Sequence, residues 1–164
     1  MDQFIMKGGK VAVLQSGMAP TQQMIASETR FNYDDQLKKY GFTLNKDLVF
    51  DSYSYSVMIP QGEMRYLAPY PLWIKTSPEQ ISADLPNSMR NTGALAFTYS
   101  SSISTTPSES VKFRSIVKTS GRSWAESGTV IIDPSNMRTP SESELKVLDI
   151  AMMGEGRFKS AFTK

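Results

Sequence analysis

The sequence predicts an α/β chain: a mixed, β-rich fold with a partial α/β unit at its N-terminus. Three observations predict it. Residues 4–14 read as a helix end, a glycine stop and an apolar strand. From Ser52 onward, apolar and polar residues alternate in short runs with the period of a half-buried strand. The 164 residues are 40% hydrophobic and 21% charged, which suits one domain with its own core and not a disordered chain.

In order along the chain, Phe4-Ile5-Met6 read as the last turn of a helix. Lys7 suits the negative end of its dipole, and Gly8-Gly9 stop it. Val11 to Leu14 follow as a buried strand. A helix followed by a strand is half of an α/β unit whose first strand is missing. Residue 1 is therefore expected to be a cut within a larger protein, the alternative being a native chain with a short N-terminal helix. Residues 1–51 would be the end of an α/β unit and 52–164 the β-rich part of a single domain. Gln15 to Ser27 read as a polar loop. A helix is then marked by Asn32 as N-cap, Asp34-Asp35 in the first turn, Lys38-Lys39 in the last, and Gly41 as its end. Leu48-Val49-Phe50 form a short strand closed by Asp51.

The alternation of Tyr53, Tyr55, Val57 and Ile59 with serines and Met58 predicts a strand ending in the turn Pro60-Gln61-Gly62-Glu63. Met64 to Ile74, interrupted by Pro69 and Pro71, is expected to run extended along a sheet edge. Ser77-Pro78-Glu79-Gln80 has a capping-box pattern. Gly93 to Tyr99 and Val111 to Lys118 read as strands, with Ser100 to Ser110 a loop between them. Gly121 to Asp133 hold Trp124 and the apolar run Val130-Ile131-Ile132, before a loop at Pro134 to Ser143. The last segment reads two ways. Ser141 and Glu144 mimic a helix capping box, whereas Leu148, Ile150 and Met152 alternate as a strand. Two strands joined by a turn at Gly154-Glu155-Gly156 are the preferred reading.

Composition excludes several kinds of function. The chain has no Cys and no His, so disulfides, thiolate and imidazole metal sites, a Cys nucleophile and a Ser-His-Asp triad are all impossible. A net charge of +2 leaves no electrostatic footprint for nucleic acid. No apolar run approaches the roughly 18–20 residues of a membrane span. Met1-Asp2-Gln3 is not the basic start of a signal peptide.

The remaining candidate chemistry has a bland reading beside each sharp one. Gly8-Gly9-Lys10 lacks the spacing of a phosphate-binding loop and lies after a helix, not before one, so it reads as a helix stop. Asp34-Asp35 fit a solvated first turn better than a metal site. Asp47 and Asp51 flank a strand and could pair, but no second acidic cluster supports a metal. A Ser in Lys118-Thr119-Ser120-Gly121-Arg122-Ser123-Trp124 lies near two cations, yet a Ser-Lys nucleophile needs a buried neutral Lys. The methionines read as flexible core filler. The densest aromatic stretch holds Tyr53, Tyr55, Tyr66, Tyr70 and Trp73. It suits sheet packing first, and stacking on a sugar ring or peptide second. Tyr66, Tyr70, Trp73 and Trp124 are the candidate contact residues. No catalytic, cofactor or metal residue is expected.

Four stretches together resemble a known family. They are Asp2-Gln3-Phe4-Ile5-Met6-Lys7-Gly8-Gly9-Lys10-Val11; residues 37–51, containing Tyr40-Gly41 and Asn45-Lys46-Asp47-Leu48-Val49; residues 116–124, containing Thr119-Ser120 and Ser123-Trp124; and residues 151–162, ending on Ser160-Ala161-Phe162. In order and spacing they are similar to segments of the GldG-like auxiliary components of ABC-type transport systems, a group named for gliding motility. The resemblance implies an extracytoplasmic, periplasmic domain anchored by membrane segments absent from this chain. Its implied partners are an ABC permease and its ATPase. It also implies an N-terminal α/β unit akin to class I glutamine amidotransferases, a domain shared with an intraflagellar-transport protein. The catalytic Cys and His of the amidotransferases have no counterpart here. The expected function is thus a non-enzymatic auxiliary or binding domain that touches transporter subunits or an envelope ligand. Alternatives are a carbohydrate-binding module using Tyr66, Tyr70 and Trp73, or a structural assembly domain. A truncated N-terminal unit would expose a strand edge or an apolar helix face, so self-association is expected as well.

Overall fold

The computed structural model describes residues 1–30, 33–90 and 93–162. Its strands are β1 (Met18–Pro20), β2 (Ile25–Glu28), β3 (Phe42–Leu44), β4 (Asp47–Asp51), β5 (Ser54–Gln61), β6 (Met64–Lys75), β7 (Ala96–Thr98), β8 (Ile103–Thr105), β9 (Val111–Lys118), β10 (Ser123–Ser127), β11 (Val130–Ile131) and β12 (Asp149–Gly156). The helices are short: α1 (Asp2–Met6), α2 (Asp34–Lys39) and α3 (Asn87–Arg90), with 3-10 turns at Pro78–Gln80 and Glu142–Glu144.

This is a β-rich fold and corrects the expected α/β class. Every strand pair among the described residues is antiparallel. An α/β unit needs a helix crossing between parallel strands, and no described helix exceeds six residues. The amidotransferase-like unit is therefore absent from the described residues. Its supposed strand, Val11 to Leu14, joins no sheet among the described residues, and Leu14 is 92% exposed. The helix before it is real: Gly8, at φ 84°, ends α1 as expected.

Five small sheets build the body, in the orders β1-β2-β11, β10-β4, β12-β9, β3-β8 and β5-β6-β7. Three of them join a strand before Ser52 to one after it, so the two halves interleave. The organising element is β4. Its run Asp47-Leu48-Val49-Phe50-Asp51 is buried throughout. Leu48 and Phe50 enter a cluster with Met18, Tyr70, Leu72 and Trp124, while Val49 enters a second with Ile74, Ile81, Val117 and Ile150. A strand with apolar residues on both faces can be satisfied only between two layers. On its edge, β4 pairs β10, placing Phe50 opposite Trp124, whose rings stack at 5.1 Å.

Several local readings differ from the expectation. Residues 15–27 contain β1 and most of β2, not a loop alone, and Ser100 to Ser110 contain β8. The helix N-cap expected at Asn32 lies outside the described residues; α2 itself spans Asp34–Lys39 and Gly41, at φ 88°, follows it. The capping box at Ser141 and Glu144 forms on a 3-10 turn. The predicted turn at 154–156 is instead the end of the single strand β12, paired with β9 through Gly156↔Val111. Gly154 is needed there for close packing: a Cβ would lie 2.8 Å from the Phe42 ring.

Candidate functional site

The candidate site is the outer face of the β5–β6 hairpin, and its geometry follows from two features, a glycine turn and a proline-marked jump in register. Gly62, at φ 63°, takes the first central position of a two-residue turn closed by Gln61 and Met64, the place where a type II′ hairpin turn requires glycine. From there the ladder runs Pro60↔Arg65, Ile59↔Tyr66, Met58↔Leu67, Val57↔Ala68 and Ser56↔Pro69, then jumps to Ser54↔Ile74. Pro69 and Pro71 sit at this jump, where a missing N–H costs the ladder least. The expected sheet-edge strand is therefore the central strand β6, which pairs β5 on one side and β7 on the other. The jump also divides β6. Residues from Tyr70 onward alternate buried and half-buried against the body, while Met64 to Leu67 are all exposed.

Strand alternation gives the hairpin two faces. Val57 and Ile59 turn inward, Ile59 being buried and Val57 packing on the main cluster. Met58 and Leu67, direct cross-strand partners, turn outward and are 64% and 68% exposed. Met64 at the tip is more exposed still. Covering Met58 and Leu67 with an apolar partner would contribute about 1–2 kcal/mol each. Sequence reasoning missed this pair, although the alternation that places Val57 and Ile59 together also places Met58 opposite to them.

The four predicted contact residues are not brought together. Tyr66 is 44% exposed on the hairpin. Tyr70 is 3% exposed, donates its hydroxyl to the Ile132 carbonyl at 2.6 Å, and meets the half-buried Trp73 edge-on at 5.7 Å. Burial pushes the Tyr70 phenol well above its ordinary range. Trp124 is buried against Phe50, with Nε1 donating to Glu126 Oε1 at 3.1 Å. Glu126 also accepts from Arg138, which grips Glu144 through two further bonds of 3.0 and 2.9 Å. That guanidinium, with donors from Ser141, draws the Glu144 carboxyl down to about 2.

Among the polar residues singled out for chemistry, Asp34 bridges Lys46 at 2.6 Å, and Asp47, Asp51 and Ser123 are taken up by backbone groups and neighbouring hydroxyls. Asp47 accepts from Ser102 N at 2.8 Å and from Ser102 Oγ at 2.6 Å. Asp51 accepts from Tyr53 N at 2.8 Å and Ser120 N at 2.7 Å, and from Ser120 Oγ. The two carboxylates close opposite ends of β4. Four residue steps of about 3.3 Å hold them about 13 Å apart, too far to share a metal or flank one bond. No group of three acidic residues among the described residues could hold a metal ion. Ser123 is fully buried, contacts the Thr119 hydroxyl at 2.6 Å and donates to the Lys146 carbonyl, so its hydroxyl closes a loop junction.

At the N-terminus, Asp2 docks α1. It accepts from Tyr40 Oη at 2.6 Å, Ala161 N at 2.8 Å and Ser160 Oγ at 2.9 Å. Those donors, Tyr40 first, hold its carboxyl below the usual range, while burial and the carboxylate push the Tyr40 phenol up to about 12. Two of the motifs noted in the sequence, the opening Asp2 stretch and the closing Ser160-Ala161 stretch, thus meet each other.

No described helix is long and apolar enough to cross a membrane. No curated protein and no solved structure matches the chain. The family model for the ABC-type uncharacterized transport system, ABC_transp_aux, matches residues 1–164, the whole length. The chain therefore belongs to the auxiliary family of ABC-type transport systems.

Proposed function

We propose that this chain is a non-catalytic docking domain of its ABC-type transport system, and that the outer face of the β5–β6 hairpin seats on an apolar flank of the permease. The carrying observation is the exposed cross-strand pair Met58 and Leu67. Methionine is favoured at such contacts, because its flexible side chain fits a partner at low cost. Family membership supports a transporter component as the partner. The motif resemblance supports the narrower reading, a gliding-motility-type system acting at the periplasmic face. The commitment of Asp47, Asp51 and Ser123 to backbone supports a domain that binds and does not catalyse.

The test is co-expression of the full-length protein with its own permease and ATPase, followed by affinity capture. Capture should be lost in Met58→Lys/Leu67→Glu, whose opposite charges can pair across the strands, while stability stays within about 0.5 kcal/mol, as for ordinary surface changes. Undiminished permease capture by that variant would overturn the assignment of the face. Self-association has separate support in the exposed run Val11, Val13 and Leu14. A strict monomer in sedimentation at high concentration would remove it.

A further inference from the structure

A second surface carries a different chemistry. Between the end of α2 and the loop after β8 lies a cleft of about 400 Å³, closed on its third side by Phe158 and Lys159. Its floor is aromatic: Tyr40 is buried, and the Phe158 ring meets it edge-on at 5.7 Å. Its rim is cationic, with Lys38, Lys39 and Lys159. Lys39 is anchored by donating to the Ala161 carbonyl, a neutral partner that leaves its charge uncompensated. Lys38 and Lys159 form no ion pair with any described residue. Glu109 is the one acidic residue lining the cleft, and it is not bridged to any of the three lysines. Ser108 and Ser110 lie on the same wall, their hydroxyls 3.2 Å apart.

The dipole of α2 accounts for Lys38 and Lys39 in its last turn. It does not account for Lys159, which arrives from a coil segment far along the chain. Three like charges converging on one concavity repel each other, and an anion relieves that repulsion. The volume lies within the range of small-molecule sites, and the lining is divided between polar groups and the apolar Tyr40, Pro107, Val111 and Phe158. We propose that this cleft binds a small organic anion, a carboxylate or phosphate borne on a body the size of a sugar ring. Lys38 and Lys159 pair with the charge, Ser108 and Ser110 supply hydroxyl hydrogen bonds, and Phe158 packs on the body. The hairpin contributes no residue to this cleft, so the two assignments stand or fall separately.

The test is an amide NMR titration of the 164-residue chain with glucose 6-phosphate and with glucuronate, taking glucose as the neutral control. Either anion should give saturable shifts at Gly41, Ser108 and Ser110 that weaken at high salt, and glucose should give none. Lys38→Gln/Lys159→Gln should weaken that binding by about tenfold or more with the spectrum otherwise unchanged. Ser108→Ala/Ser110→Ala should weaken it with all charges retained. No saturable shift with either anion, equal shifts with glucose, or affinity within about twofold in the lysine variant would overturn the proposal.

Discussion

Removing the Asp51 carboxylate tests what this residue is for. Asp51 is fully buried at the end of β4 and accepts from Tyr53 N, Ser120 N and Ser120 Oγ. In Asp51→Ala, two part-buried backbone N–H groups lose their acceptor. Each orphaned donor costs about 1–3 kcal/mol, so the pair costs about 2–6 kcal/mol. The half-buried Ser120 hydroxyl can turn to water and adds little. Water can reach the part-buried donors, and the wild type carries an opposing cost, the desolvation of a carboxylate that no described cation bridges; both place the net loss toward the low end of that range, at about 2–3 kcal/mol. Asp51→Asn keeps one acceptor oxygen but turns an amide N–H toward a donor, so about 1–3 kcal/mol is expected. A domain holds only about 5–15 kcal/mol, so either loss is measurable. Urea unfolding followed by tryptophan fluorescence reads it directly, because Trp124 lies opposite Phe50, one register step from Asp51. The urea midpoint should fall with an unchanged slope. A loss under about 1 kcal/mol for Asp51→Ala, or an Asn variant more stable than the wild type, would refute the reasoning. A gain on removing a buried charge marks a group kept for chemistry at the expense of stability.

Two further outcomes concern acid. The folded-state pKa of Asp2 is depressed, so its tether of α1 to Tyr40 and Ala161 is present above the ordinary aspartate range and is lost as pH falls through the folded value. The Ala161 amide shift should titrate at that lower pH, and Asp2→Asn should abolish the titration. Glu144 should titrate near 2 in carboxyl NMR, and Arg138→Leu should return it toward about 4.3, the ordinary glutamate value. An unmoved midpoint would mean that Arg138 does not hold it.

Much of the local structure was legible in residue order. Strand β9 follows the alternation of Val111 to Lys118, and β4 follows the apolar run at Leu48 to Phe50. The charges of Asp34-Asp35 and Lys38-Lys39 bracket α2. The candidate site was legible only in part. Tyr66 was named, but it pairs with the inward Ile59; Met58 and Leu67, which make the outer face, were not, because a period-two pattern does not say which face a body will cover. Tyr70 and Trp124 read as available aromatics, and they are core.

The sequence by itself determined the absence of thiol and imidazole chemistry, the strand periods, the helix stops at Gly8 and Gly41, and the family. The tertiary structure alone decided the class. Apolar runs such as Val11 to Leu14 become strands only where an edge is free to receive them, and here none of the described sheets does. Pairings such as β4 with β10 join residues nearly half a chain apart in sequence, and they leave no local mark. Gly154 shows the same limit: its pattern fits a turn or a close approach equally, and only the rings of Phe42 and Phe113 above it select the second.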